Sequence, residues 1–538
     1  MVAPRIALVG AVGLVTAGLV LTPVVGSAQA AGPKAVNISV NTSAPGSPIS
    51  PLIYGMNFPD AHVAKAAGVT AVRFGGNSTS RYNFKNKVYN TGSDWFFENI
   101  PAGSGMDLDA FVARARSAND VAIVTLPMTG WVSKDSPTQH PYACGFPVSD
   151  VGSQDAVDQW DSNCGNGLRG NKPIGTTPER TSMRVGPAWA GAEAAYLLPT
   201  PGTPADRLPR IYQLDNEPTL WNSTHRDVHP LPLTYDELGA TSLATAAAVK
   251  SVDPAAAVLG PGDWGWCAWY FSAKDGCAPG ADAAAHGGVP LGQWYLRQFK
   301  AYADAHEGAR LLDYFDEHVY PQSGVGLRDA GDAAMQALRL RSTRMLWDPT
   351  YVDESWIGKP VAFLPTMRAW IASDYPGTKL AVTEYNFGGL ESLNGALTQA
   401  EVLGIFGREG VDLATLWGPP SIGQPGVQAF RLFTNYDGKG SRFGDRSLAA
   451  TTSSVNTVSV FASRRTSDGA VIVLLIDKDP AGTPSRSVTV RGLRGPAKAW
   501  RYDGKDLTRI RQVGAMNLNR PLRLPPASAT ILVLSGMQ

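Results

Sequence analysis

The stretch Ile211-Tyr212-Gln213-Leu214-Asp215-Asn216-Glu217-Pro218-Thr219-Leu220-Trp221 decides how the chain reads. Its first four residues look like a buried strand, and the strand then ends abruptly in an amide between two carboxylates. An ordinary polar turn would account for that ending. So would a strand that carries Glu217 out to a site where a carboxylate is needed. Seven further short apolar runs resemble the first: 52–58 (LIYGMNF), 71–76 (AVRFGG), 121–126 (VAIVTL), 257–261 (AVLGP), 314–320 (YFDEHVY), 380–384 (LAVTE) and 414–417 (ATLW). Helix-like stretches, among them 238–249, 293–304 and 398–409, lie between them. Strands that alternate with helices pair in parallel through crossovers, and eight such units predict an α/β fold of the (β/α)8 TIM type.

Past about residue 443 the pattern changes to short β-rich runs at 455–464, 470–477, 487–490, 497–501 and 529–534, separated by turns such as Asp468-Gly469 and Asp503-Gly504. This predicts a C-terminal β-sandwich of roughly 95 residues attached to the barrel. Residues 35–41 (AVNISVN) alternate in the same way and are expected to add a strand to it. The expected division is a signal peptide at 1–30, a sandwich strand within 31–50, the barrel at 51–443 and the sandwich at 444–538. The longest insertion, 128–210, is rich in Gly, Pro and Asn and would hang from the carboxyl end of the third strand. That is the face on which barrel enzymes do their chemistry.

The chain of 538 residues, 44% apolar and 17% charged with a net charge of +1, is globular in composition. Its basic residues form no stripe, which argues against nucleic acid as a partner. Arg5, the apolar run at 6–25 and Ala28-Gln29-Ala30 read as a secretory signal peptide, with an uncleaved anchor as the alternative. No second apolar run approaches spanning length, so a secreted, extracellular protein with no membrane association after cleavage is expected. Cys144, Cys164, Cys267 and Cys277 suit an exported chain, and proximity favours the disulfides Cys144–Cys164 and Cys267–Cys277 among three possible connectivities. No histidine keeps metal-ligand spacing with either pair. His225 and His229 have helix-face spacing, but Pro230 follows and no carboxylate completes a metal motif.

With this strand assignment, the carboxyl ends of the strands bear Arg73, Asn216, Glu217, His318, Tyr320, Glu384 and Trp417. Two carboxylates facing one another across a barrel mouth are what glycoside hydrolysis requires, one to protonate the departing oxygen and one to attack the anomeric carbon or activate water. Arg73 would favour the ionised form of the glutamate it touches. Trp417, Trp131 and Trp264 are candidate stacking surfaces for sugar rings. Each of these residues also has an ordinary reading as a turn, cap, salt bridge or core ring; the joint pattern of Glu217 and Glu384 favours catalysis.

The segments RFGGNSTSRY (73–82), LDNEP (214–218), TEYN (383–386) and FTNYDG (433–438) together resemble glycoside hydrolase family 44, secreted endo-β-1,4-glucanases and xyloglucanases. The resemblance implies a barrel with an attached sandwich, Glu217 as general acid/base and Glu384 as nucleophile of a retaining two-step reaction. It further implies Tyr320 as hydrogen-bond donor to the nucleophile, with Arg73 and Asn216 as supports. Phe74 stands where the family more often has Trp, a departure on a scaffold position. No cofactor is implied; some relatives hold a structural metal ion, for which no ligands are assigned here. The expected substrate is a β-1,4-linked plant polysaccharide and the expected state a monomer. The alternatives are a β-mannanase or xylanase on the same barrel, or a non-catalytic glycan-binding protein.

Overall fold

All eight runs form parallel strands: β1 (Gly55–Asn57), β2 (Ala71–Phe74), β3 (Val121–Leu126), β4 (Ile211–Leu214), β5 (Ala257–Asp263), β6 (Tyr314–Glu317), β7 (Lys379–Tyr385) and β8 (Leu413–Leu416). The computed structural model describes residues 35–103, 105–198, 210–326 and 329–536, so the segment read as a signal peptide lies outside the described residues. The strands pair in sequence order, and β8 closes on β1 through Thr415↔Gly55 and Leu416↔Met56. Helices including Tyr235–Val252, Leu291–Ala305 and Leu393–Glu409 cover the outside. Strands buried on both faces carry apolar side chains at nearly every position, which is why the runs are continuous rather than alternating.

The barrel interior changes character along its axis. Ala71, Ile123, Ile211, Leu259, Tyr314, Ala381 and Leu413 belong to one apolar cluster at the amino-terminal end. Successive inward positions are two residues apart in a strand. Two residues on, the inward side chains are Arg73 on β2, Thr125 on β3, Gln213 on β4, Asp316 on β6, Thr383 on β7 and Thr415 on β8, all fully buried. They are joined by Asn57 of β1, whose amide donates to the carbonyls of Thr383 and Thr415 at 3.0 and 3.2 Å. A polar layer therefore lies directly beneath the carboxyl-terminal mouth of the barrel.

The C-terminal region is a sandwich of two sheets. One has four strands in the order Ala450–Thr452, Val36–Val40, Arg486–Arg491, Leu522–Leu524; the other has seven, with Val471–Asp477 at its centre. Val36–Val40 runs parallel to Arg486–Arg491, and its alternate residues Val36, Ile38 and Val40 enter the sandwich core. Val471–Asp477 is buried at every position because it is covered twice. Val471, Val473 and Leu475 face the sandwich core, whereas Ile472, Leu474 and Ile476 pack into the same cluster as the barrel. A buried ion pair crosses that contact: Lys478 donates to Glu401 at 2.6 Å, and Ser459 donates to the same oxygen at 2.9 Å. The Leu393–Glu409 helix of the barrel is thereby tied to the sandwich.

The insertion after β3, together with the segment between β2 and β3, builds small sheets that the sequence reading did not anticipate. Trp131–Ser133 pairs with Ser182–Arg184, and Val88–Asn90, Glu98–Pro101 and Ala143–Cys144 form a three-stranded sheet. Cys144 is bonded to Cys164, and Cys267 to Cys277, the connectivity favoured by proximity. No helix among the described residues is long and apolar enough to cross a membrane.

Candidate active site

Arg73 is the hub of the mouth. Its buried guanidinium donates to Gln213 at 2.5 Å, to Asn57 at 2.9 Å, to Asn216 at 2.7 Å and to Glu384 at 2.7 Å. Charge-assisted bonds to four side chains on three strands and their ends, β1, β4 and β7, hold these groups in one geometry. The two glycines after Arg73 make the hub possible. A Cβ at Gly75 would lie 2.3 to 2.7 Å from the Arg73 guanidinium. Gly76 has φ +88°, and a Cβ there would meet the Trp417 ring at 2.5 Å. Gly75→Ala is therefore expected to displace the guanidinium, since its four partners leave it no second position. A loss of at least about tenfold in kcat, ~1.4 kcal/mol of barrier, is expected on a soluble β-glucan. Wild-type kcat in a folded Gly75→Ala protein would refute this reading of the glycine.

Glu217 is delivered by a strained turn. Asp215 and Glu217 both occupy left-handed backbone, with φ 61° and 45°, which costs on the order of 1 kcal/mol or more for each. The Glu217 amide donates to the Gly262 carbonyl at 3.0 Å. The buried Asp215 carboxyl accepts the amides of Met128 at 2.5 Å and Asn216 at 2.7 Å, so Asp215 braces the turn. Asn216 accepts from Arg73 and from the Gly76 amide and donates one N–H to Asn77 at 3.1 Å, which leaves its other N–H open.

Glu384 stands across from Glu217 with one carboxyl oxygen on Arg73 and the other accepting from the Tyr320 hydroxyl at 2.9 Å. His318 lies between the two glutamates, its Nδ1 3.0 Å from Glu217 and 3.6 Å from Glu384. Glu217, His318 and Glu384 each bring an atom within 4.8 Å of the other two. Burial pushes the Glu217 carboxyl up to about 7; Arg73 opposes this and Asp94 adds to it. Burial also lowers the affinity of His318 for a second proton, despite the nearby Glu384.

With His318 neutral, as its burial favours, the hydrogen bonds place the same proton. Asp316 accepts the Thr383 amide at 2.9 Å and the Thr383 hydroxyl at 2.6 Å. That hydroxyl has spent its hydrogen, so it accepts from His318 Nε2, 3.2 Å away. A neutral ring protonated at Nε2 presents a lone pair at Nδ1. The hydrogen in the Nδ1 contact then belongs to Glu217. The pair is thus asymmetric, with Glu217 carrying a proton and Glu384 facing a guanidinium.

Of the three candidate stacking rings, Trp417 is half-buried and lies over Gly76 beside Asn216, while Trp264 is half-buried directly after β5. Trp131 differs from the expectation: it is 5% exposed, and the Arg184 guanidinium sits 4.4 Å from its ring centre. Opposite Arg184 in the strand pair, its ring is occupied as a cation–π partner and offers a sugar little surface. The sequence reading missed Asn57, Gln213, Asp316 and Thr383, each a polar residue near the carboxyl end of an apolar run. That position was the available signal.

A second cluster had no sequence signal because its members are far apart in the chain. Glu98, His140 and Asp158 bring ligand-type atoms within 4.8 Å of one another. Both carboxyl oxygens of Glu98 and of Asp158 are buried without a hydrogen-bond partner, and burial beside Asp158 pushes Glu98 up to about 8. Glu98 lies opposite Cys144 in its sheet, and the Asp158 amide donates to the Cys164 carbonyl at 2.8 Å. The Cys144–Cys164 bridge thus joins the two carboxylates.

Comparison with known proteins follows the same lines. Residues 88–323 match the profile of glycoside hydrolase family 44. The chain is 32% identical to Endoglucanase A of Paenibacillus lautus over 530 residues, 93% of this chain and 73% of that protein. Among solved structures it resembles CelM2, a bifunctional glucanase-xylanase from a metagenome library, at 37% identity and TM-score 0.88, covering 94% of this chain and 99% of that one. A Paenibacillus polymyxa xyloglucanase of family 44 matches at 29% identity and TM-score 0.75, over 94% of this chain and 100% of that one.

Proposed function

Because this chain belongs to glycoside hydrolase family 44, we propose that it is an endo-acting β-1,4-glucanase that cleaves cellulose-type β-glucans and xyloglucan with retention of configuration. The observation that carries the retaining reading is the approach of the Glu217 and Glu384 carboxyl oxygens to within 4.8 Å. Retaining glycosidases hold their carboxyl groups about 5–5.5 Å apart, whereas inverting ones leave room for a water. In the first step Glu384 attacks the anomeric carbon as Glu217 passes its proton to the departing glycosidic oxygen. In the second, Glu217 takes a proton from water, which attacks the same carbon and releases Glu384. Arg73 and the Tyr320 hydroxyl orient the attacking carboxylate, and the free N–H of Asn216 is directed to a sugar hydroxyl.

CelM2, the structural relative at 37% identity, is a glucanase-xylanase, which favours xylan as a second substrate. The two disulfides support an exported protein. The proposed division of labour assigns catalysis to residues 51–443 and a supporting role to the sandwich at 444–538, together with the strand near the N-terminus. The orphaned carboxylates of Glu98 and Asp158, with His140 beside them, fit a structural divalent cation, which would neutralise them and brace the insertion. No step of the reaction is assigned to it. The test is product analysis on xyloglucan, unbranched β-glucan and xylan with the first-formed anomer followed by NMR. The β-anomer is expected to appear first; the α-anomer would overturn retention.

A further inference from the structure

We propose that Asp94 is a substrate-binding residue of the cleft, its carboxylate accepting hydroxyl hydrogens from a sugar unit adjacent to Asn216; this rests on the assignment of the catalytic pair above. Asp94 is exposed, and both of its oxygens are held by one donor, the Asn77 amide, at 3.1 and 3.2 Å. Asn77 in turn accepts from Asn216, so Arg73, Asn216, Asn77 and Asp94 form one hydrogen-bonded line from Glu384 to the rim. Arg73 and Asn77 are committed to protein partners and Asn216 keeps one N–H open; Asp94 ends the line at the exposed rim with acceptor lone pairs to spare. A carboxylate accepts two hydrogens side by side, the geometry that a pair of adjacent equatorial hydroxyls on a β-linked pyranose presents.

The turn that carries Asp94 is built to hold it still. Gly92 has φ +56°, and a Cβ there would meet the Thr224 carbonyl at 2.6 Å, so the turn abuts the segment that follows Glu217. Asn90 accepts the Gly92 amide at 2.8 Å and donates to the Phe97 carbonyl at 2.8 Å. Phe96 and Phe97 are both in left-handed backbone, φ 50° and 58°, a conformation bulky residues adopt only where surrounding contacts impose it. Asp94 also raises the proton affinity of Glu217, in keeping with a side chain that faces the same cavity.

The isosteric exposed change Asp94→Asn keeps the shape and exchanges one acceptor oxygen for a donor; Asp94→Ala removes the group. Thermal melting checks that both variants fold as the wild type does. Both are expected to raise KM for barley β-glucan at least threefold, with kcat at pH 5, where Glu217 is protonated, within threefold of wild type. A smaller rise in KM in both variants overturns the inference. Wild-type enzyme assayed alongside separates the two readings: if it fails to cleave the glucan, the proposed activity falls, and if it cleaves while both variants match its KM, only the role of Asp94 falls.

Discussion

Glu384→Gln is expected to lower kcat on carboxymethylcellulose by at least about a thousandfold, equivalent to ~4 kcal/mol of barrier. A carboxamide keeps the shape of the side chain, but its single oxygen can accept from Arg73 or from Tyr320 and not from both; it is also a poor nucleophile and carries no charge to offset the developing oxocarbenium ion. The substitution also leaves the buried Arg73 without its anionic partner, and an uncompensated buried charge is destabilising. Here the loss is softened, because Asn57, Gln213 and Asn216 still accept from the guanidinium. A lowered melting temperature in a protein that still folds is therefore expected together with the loss of turnover. Adding azide to a Glu384→Gly variant should restore turnover of an activated aryl β-cellobioside and give the α-glycosyl azide, because the small anion fills the vacated space and attacks from that side. Near wild-type turnover by folded Glu384→Gln would remove Glu384 from the mechanism.

Glu217→Gln is expected to lower kcat on the same polysaccharide by at least about a hundredfold, the usual contribution of a general acid. The effect should depend on the leaving group. An aryl glycoside whose phenolate departs without protonation needs no acid in the first step, so the loss there falls on the second step and azide relieves it. The pH dependence follows from the raised carboxyl of Glu217, at about 7. Activity requires the protonated form, so wild-type kcat/KM should be full below that value and fall as pH rises through it; Glu217→Gln should lose this limb. An unchanged basic limb in Glu217→Gln would assign the proton elsewhere, and His318, 3.0 Å away, would be the next group to test.

The structural explanation of RFGGN changes how the motif is weighed. Phe74 packs edge-on to Phe58, Tyr82 and Phe111 outside the barrel, away from Glu217 and Glu384. The glycines are the demanding positions, one passing the Arg73 guanidinium and the other lying under Trp417. A large apolar ring in a core accepts replacement by another of similar size, whereas a missing Cβ beside a pinned guanidinium has no substitute. Another large ring is therefore expected to be accepted at position 74, and a side chain at Gly75 or Gly76 is not.

The barrel was legible because strand periodicity and the order of strands and helices are local properties, written within a few residues of each position. Glu217 and Glu384 were legible for the same reason, as carboxylates at the ends of apolar runs where nothing local needs them. The small sheets of the insertion were not, since strands of two or three residues have no period to read. Nor was the occupied face of Trp131, because Arg184 reaches it across a strand pair formed only in the fold.

The amino-acid sequence by itself determined the (β/α)8 architecture, the sandwich and the two glutamates, through alternation, turn residues and position along each strand. The tertiary structure alone decided their chemistry. Closing β8 on β1 gathers Asn57, Arg73, Gln213, Asn216 and Glu384 into one hydrogen-bonded set, in which Arg73 and Glu384 are 311 positions apart. Burial and the neighbours so assembled leave the proton on Glu217 and set Glu384 against a guanidinium. A carboxylate's protonation depends on what surrounds it in space, and that is settled only when distant strands meet.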